Sequence, residues 1–280
     1  MTLPTQLLSG TMTVGVILTA MVLVALLETA IPLHVPGRWT TIHRGPNLAL
    51  TFMTFGTNIV FNAALVMTLV ALQSSGIGLL HLLALPPLMA GAIVVVALDF
   101  AFYVGHVTMH RSPSLWRFHS VHHSDPAVDV TTTIRQHPGE GVIRYAFMAT
   151  FGIALGASPG AFAVYRAWSA LQGLIEHANV RVPLWLDRVL CLAAPTPNIH
   201  KVHHSRVAAQ TNTNYGNLFS FFDRLFGTFT PSVHGVDVVC GLDGLDDPAT
   251  QTTVGLLALP FRDGTISRAV LPRVSAPGRP

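Results

Sequence analysis

Residues 79–123 read LLHLLALPPLMAGAIVVVALDFAFYVGHVTMHRSPSLWRFHSVHH. The stretch from Leu79 to Gly105 is apolar apart from His81 and Asp99, with Pro86-Pro87 near its start. About 20 apolar residues suffice to cross the roughly 30 Å of bilayer hydrocarbon, so this run predicts a membrane-spanning helix. It then passes directly into His106-Val-Thr-Met-His110, and a short polar link leads to His119-Ser-Val-His122-His123. A span that ends in a cluster of imidazoles decides the reading of the rest of the chain.

Working outward, Met12 to Ile31 is a first span, apolar except for Glu28 and small hydroxyls, and it stops at Pro32 and Pro36. Leu48 to Leu72 is a second. Val142 to Ile175 is apolar but broken by Gly156-Ala-Ser-Pro-Gly160. Its halves fit a helical hairpin that enters the bilayer and returns, with two tilted spans as the alternative. From about residue 205 the chain turns polar, and Gly264 to Pro280 reads as a loose tail. The expected fold is an all-α integral membrane protein: about three transmembrane helices plus a helical hairpin, with a cytoplasmic helical His-box cap. The expected divisions are transmembrane helices over 1–92, a catalytic region over 93–230 and a C-terminal cytoplasmic tail over 231–280.

Composition agrees. Only 10% of the 280 residues are charged, against about 25% in a soluble domain. Mean hydropathy is +0.52. The net charge of +3 comes from scattered basic residues with no Lys/Arg run, which excludes a nucleic-acid partner. Cys191 and Cys240 are too far apart in sequence for a Cys-x-x-Cys site and read as free thiols on a reducing side. No Lys or Arg precedes the first apolar run, so that run reads as an uncleaved helix rather than a signal peptide.

Arginines and Lys201 follow the first span, the third span and the hairpin, while the N-terminal residues and the Gln73–Gly78 loop carry none. The positive-inside rule then places the N-terminus outside, and the histidine boxes and C-terminus in the cytoplasm. Trp39, Trp116 and Trp185 read as interfacial anchors.

Histidines number 14 against 13 acidic residues, and ten of them fall between 106 and 204. His200-Lys-Val-His203-His204 repeats the His-x-x-His-His pattern; His137 and His177 stand alone. At one His per 20 residues, a His-x-x-His-His match arises by chance at about one start position in 8,000. Residues i, i+3 and i+4 share a helix face, so three short helical pieces can aim eight rings at one point. His34, His43, His81 and His234 read as ordinary core or surface residues.

Imidazole clusters suit Zn, Cu, Fe and Ni. A structural zinc site stops at four ligands and commonly uses Cys. Eight or more histidines exceed one coordination sphere and imply two metals. Haem needs one or two axial histidines, and a ferritin-like centre needs Glu-x-x-His motifs that are absent. A His-rich membrane metal transporter would distribute its histidines along the helices. A non-catalytic lipid-binding scaffold would not need all three boxes.

The order His-x-x-x-His, His-x-x-His-His, His-x-x-His-His resembles the fatty acid hydroxylase superfamily, also called the sterol desaturase family. Asp99-Phe-Ala-Phe-Tyr103, Trp116, Phe118, Arg135-Gln-His-Pro-Gly-Glu140, Glu176-His177-Ala-Asn179, Asn214-Tyr-Gly216 and Asp223-Arg-Leu-Phe-Gly-Thr228 extend the likeness over residues 95–229. Phe222 stands where the family commonly has Trp, and Arg181 stands where some members have a further His. The resemblance implies a membrane di-iron oxidoreductase. It would use two iron ions, O₂ and an external electron donor of cytochrome or ferredoxin type to hydroxylate or desaturate C–H bonds of a lipid drawn from the bilayer. It implies metal ligation by His106, His110, His119, His122, His123, His177, His200, His203 and His204, with His137 as a tenth candidate.

Asp99 lies seven residues before His106 on one helix face and is expected to orient that ring or to make a structural hydrogen bond. Glu140, Glu176 and Asn179 are expected beside the ligands. Asp223 is expected to tether the C-terminal fold through Arg188 or Arg206. Arg166 in the hairpin is expected to pair with a carboxylate or to snorkel. Phe52, Phe55, Phe61, Phe100 and Phe102 are read as bundle packing.

Overall fold

The computed structural model describes residues 3–262, with side chains described from residue 12 onward. The tail read at Gly264–Pro280 lies outside the described residues. The helices run α1 (Leu3–Ala30), α2 (Arg38–Ile42), α3 (Arg44–Ser75), α4 (Pro87–Arg111), α5 (Pro113–His123), α6 (Pro138–Leu155), α7 (Pro159–His177), α8 (Leu184–Leu190), α9 (Pro197–His203), α10 (Ala208–Thr211), α11 (Phe221–Leu225) and α12 (Thr253–Ala258). Among the described residues there is no β-strand, only isolated bridges such as Ser205–Cys240.

Proline sets five of the helix starts. Pro87, Pro113, Pro138, Pro159 and Pro197 each occupy a first position, where the missing N–H costs nothing and φ is already helical. Ser158 and Thr196 cap α7 and α9 by accepting from Ala161 N and Ile199 N. Glycine sets two of the ends: Gly76 after α3 and Gly156 after α6 both turn left-handed at φ +64°.

Three segments, Met12–Ala30, Arg44–Leu82 and Pro87–Arg111, are long and apolar enough to cross a membrane. Only 11% of the first is buried inside the protein, although its hydropathy averages 2.1. Side chains such as Val16, Val22, Leu23 and Leu26 point outward, as hydrocarbon-facing groups do. The third span begins later than the apolar run does. Leu79–Leu82 is a 3₁₀ turn, and the helix starts only at Pro87 and continues through the first histidine box to Arg111. Residues 83–86, ending at Pro86, cannot continue the turn into one helix.

The hairpin is formed by α6 and α7, which are joined through residues 156–158. Its tip meets the loop that joins α3 to α4, at the end opposite the histidine boxes. A Cβ built on Gly78 would lie 2.3 Å from Gly156 Cα, so only glycine lets these backbones touch. α4 packs against both α6 and α7 and lies between the two arms. Leu65, Leu69, Val94, Leu98, Tyr145, Met148, Phe162 and Tyr165 fill the shared core.

Residues 231–262, read from sequence as part of a tail, fold back against the boxes. Leu242, Leu245, Leu256 and Leu259 bury against Leu50, Trp116 and Val121. Trp116 is accordingly not an interfacial anchor: it is 2% exposed, with its ring 4.8 Å from that of His110. Trp185 is 70% exposed, as an anchor would be.

Candidate metal centre

α4, α5, α7 and α9 end together, and each carries histidines on its last turns. His106 and His110 come from α4, and His119, His122 and His123 from α5. His177 closes α7, His200 and His203 lie on α9, and His204 follows it. All nine are buried. They sort into two groups whose ring nitrogens lie within 4.8 Å of one another: His106, His110, His119, His123 and His203, and His122, His177, His200 and His204. The sequence boxes do not map onto the groups. His119 and His123, four apart on α5, enter the first, while His122 points into the second.

Nitrogen spacing tests whether a metal fits. His106 Nε2 is 3.0 Å from His119 Nε2, which is 3.2 Å from His123 Nε2. In the second group His177 Nε2 is 3.0 Å from His122 Nε2 and 2.9 Å from His200 Nε2, which is 3.2 Å from His204 Nε2. Ligands about 2.1 Å from one ion and at right angles to each other stand about 3.0 Å apart. The opposite ring faces explain why these contacts are not hydrogen bonds. His106 Nδ1 donates to Tyr215 O (2.9 Å), and His119 Nδ1 to Glu140 Oε1 (3.0 Å). His177 Nδ1 donates to Gly173 O (2.8 Å), and His203 Nδ1 to Thr213 O (2.7 Å). Carbonyls and carboxylates only accept, so each of these rings carries its proton on Nδ1 and a lone pair on Nε2. His106 and His119 therefore aim two lone pairs at each other across 3.0 Å, an arrangement that needs a cation between them. His110 Nε2 and His203 Nε2 are likewise buried without a partner among the described residues. No described residue pins the Nδ1 atoms of His122, His200 and His204.

Burial pushes His119, His122, His123, His200 and His204 well below the ordinary histidine range and His203 down to about 4; neighbouring histidines or Arg144 add to the shift. The rings are neutral and available as ligands.

The residues around the boxes divide by what they touch. Glu140 accepts from His119 Nδ1 and from Arg144 Nε (2.7 Å), so the expected orienting carboxylate is there. Glu176 Oε1 lies 3.8 Å from His177 Nδ1 and 3.9 Å from His200 Nε2, beside the second group. Asp99 does not reach His106. Its two oxygens accept from Leu218 N and Phe219 N, both at 3.0 Å. Asp223 is not paired with Arg188 or Arg206: it accepts from Tyr215 N, Gly216 N and the Thr228 hydroxyl, each at 2.8 Å. Both carboxylates thus fix the 215–219 loop, and through it the carbonyl that receives His106. Asn179 is remote from the boxes, bridging His34 N and His34 O at 2.8 Å each. His137 joins neither group; its Nδ1 accepts from Gly139 N at 2.9 Å and caps α6. Arg166 has no carboxylate partner among the described residues, its guanidinium lying 5.3 Å from the Tyr145 ring centre.

Two parts of the centre carry no local sequence signal. One is the set of carbonyl acceptors at Gly173, Thr213 and Tyr215. The other is a buried polar network behind α5. Arg135 donates from Nε to Val121 O and from its two terminal nitrogens to Asn47, Ser124 and Gln251. Asp125 accepts from His43 (2.9 Å), Asn47 (2.8 Å) and Thr132 (2.7 Å). Lys201, between His200 and His203 of α9 and fully buried, donates to Val128 O and His177 O. His43, read as a bystander, is a satisfied core residue of this network.

The family model described as fatty acid hydroxylase matches residues 91–228, the segment that carries all nine rings. Ornithine lipid hydroxylase of Rhizobium tropici is 34% identical over 168 residues, covering 59% of this chain and 48% of that protein. Alkylglycerol monooxygenase of Caenorhabditis elegans is 31% identical over 148 residues, covering 51% of this chain and 28% of the relative. Very-long-chain aldehyde decarbonylase GL1-5 of Oryza sativa subsp. indica is 27% identical over 169 residues, covering 57% and 25%. No solved structure matches the chain. The chain belongs to the fatty acid hydroxylase superfamily. It spans about half the length of the first of these relatives and less of the others.

Proposed function

We propose that the chain is a membrane-bound di-iron oxidoreductase that uses O₂ to hydroxylate, or alternatively desaturate, a C–H bond of a lipid. The observation that carries this reading is the pair of histidine groups whose Nε2 atoms converge at 2.9–3.2 Å, with His106 and His119 aiming lone pairs at each other. Five and four neutral imidazoles would hold one iron each, with His106, His110, His119, His123 and His203 on the first and His122, His177, His200 and His204 on the second. Bound iron supplies O₂ activation and the oxidising power for an unactivated C–H bond.

The protein's own part is positional. Glu140, Tyr215 O, Thr213 O and Gly173 O hold ring tautomers and orientations, so the centre is set before metal arrives. The nearly complete burial of the rings excludes water, which keeps an oxidising site from side reactions. Lipid enters laterally between helices that are already in hydrocarbon. The boxes face the cytoplasm by the charge asymmetry of the loops, and a separate cytochrome- or ferredoxin-type protein delivers electrons there. The histidines lie at one end of the spans, which disfavours a transport relay, and all three boxes are intact, which disfavours a scaffold. Iron analysis of purified protein, combined with lipid mass spectrometry of cells expressing the wild type or His203→Ala, tests the reading. Two irons per chain and O₂-dependent oxidised lipid that vanish in the variant are expected; full oxidation without His203 sinks the proposal.

A further inference from the structure

Arg144 lies two helical turns into α6 and four residues beyond Glu140. Its Nε donates to Glu140 Oε1 at 2.7 Å, and the other face of that carboxylate contact is His119 of the first histidine group. The guanidinium carbon sits 4.6 Å from the centre of the Phe102 ring, which packs edge-on to His106 at 5.5 Å. One guanidinium is thus a single residue removed from two metal-facing rings. Its Nε–Glu140 bond uses only one corner of a five-donor fork, and neither terminal nitrogen makes a hydrogen bond to a described residue. They are not sealed in: the side chain is 13% exposed.

Arg166 crosses from α7 toward Tyr145 and Met148 of α6, and it has no carboxylate partner among the described residues. Among the described residues one carboxylate, Glu140, already shared with His119, answers these two arginines. A cation left half-coordinated in hydrocarbon surroundings is costly and marks a ligand path.

We propose that Arg144 binds the anionic oxygen of the lipid substrate's polar end, a carboxylate or phosphate, and so directs oxidation to carbons near that end rather than to mid-chain positions. The planar fork matches two oxygens of such a group, and the short path through Glu140 to His119 keeps the reacting carbon close to the anchored oxygen. This rests on the lipid-oxidation reading above, but its test needs no turnover.

The experiment measures binding of cis-parinaric acid, the corresponding alcohol and the corresponding alkyl phosphate to iron-loaded protein in detergent, by fluorescence, with iron content determined in parallel. Wild type should bind the acid or the phosphate at least about tenfold tighter than the alcohol, as charge-assisted hydrogen bonds do. Which anion is preferred identifies the head group. Arg144→Gln should lose that preference while retaining alcohol binding and its iron; Arg144→Lys, with the charge but not the fork, should keep part of it. A preference that survives Arg144→Gln, an absence of preference in the wild type, or iron lost in step with the preference in both variants overturns the proposal. The last outcome would mean that Arg144 only holds Glu140 against His119. Failure of the lipid-oxidation reading registers separately, as absent O₂ consumption in protein that still discriminates the probes.

Discussion

The carboxylate of Asp125 should set both the stability of the buried network behind α5 and its pH dependence. Asp125 is fully buried two residues past His123, with His43 at 2.9 Å and Arg135 at 3.9 Å. Burial works against a charged His43, but Asp125 and Asp129 more than offset it and raise its pKa to about 9. Burial likewise opposes ionised Asp125, and His43 and Arg135 outweigh it, so its pKa falls below the ordinary carboxylate range. A shift from 6.5 to about 9 corresponds to about 3 kcal/mol. The sign follows from proton binding: folded His43 holds its proton more tightly than unfolded His43. Its stabilisation is therefore complete below about pH 6.5 and is lost as pH rises through about 9. Asp125→Asn keeps the shape and removes the charge. At pH 6 the variant should lose about 3 kcal/mol, which at about 2–4 °C per kcal/mol lowers Tm by roughly 10 °C. At pH 9.5 the gap should shrink to about half or less, the remainder reflecting Arg135 and the bonds to Asn47 and Thr132. Cys191 and Cys240 are buried free thiols, so a thiol-reactive fluorophore reports unfolding in detergent directly. A Tm gap under about 2 °C at pH 6, or a gap that stays constant to pH 9.5, would refute the ion-pair reasoning.

Glu140→Gln removes the carboxylate that holds His119, and Asp223→Asn loosens the loop whose Tyr215 carbonyl holds His106. Each should weaken iron binding about 10- to 100-fold in titrations of metal-free protein, without changing helix content. Gly156→Ala places a Cβ 2.5 Å from Ile77 O at a residue with φ +64°, so the hairpin tip should part from the opposite loop. A loss of about 1–3 kcal/mol in the thiol assay is expected. Leu256→Ala empties a fully buried position against the box-bearing α5 and should cost about 2–5 kcal/mol by the same measurement.

Much of the centre was readable because the fold imposes little between residue and role. Two His-x-x-His-His boxes and one His-x-x-x-His already place eight imidazoles on helix faces, and the family likeness added His177. Helix periodicity could not say which ring joins which histidine group. His122 and His123 are sequence neighbours about 100° apart on α5, so they serve different groups, and only the angle between α5, α7 and α9 shows it. Asp99 misled for a similar reason. A seven-residue spacing puts it on the face of His106, but the nearest donors there are the backbone amides of the 218–219 loop, more than 100 residues away in sequence. The carboxylate serves the loop instead of the ring. Trp116 resembled an interfacial anchor until residues 242–259 covered it.

By itself the sequence determined the all-helical membrane architecture, several of the helix breaks and the identity of the nine converging rings. Those follow from local physics: apolar length against bilayer thickness, Pro and Gly at helix ends, and the 3.6-residue period. The tertiary structure alone decided the division into groups of five and four and the carbonyls that fix ring tautomers. It also decided the buried Arg135–Asp125 network and the open guanidinium of Arg144. Each of these depends on a distance between segments remote in sequence, and no local pattern encodes such a distance.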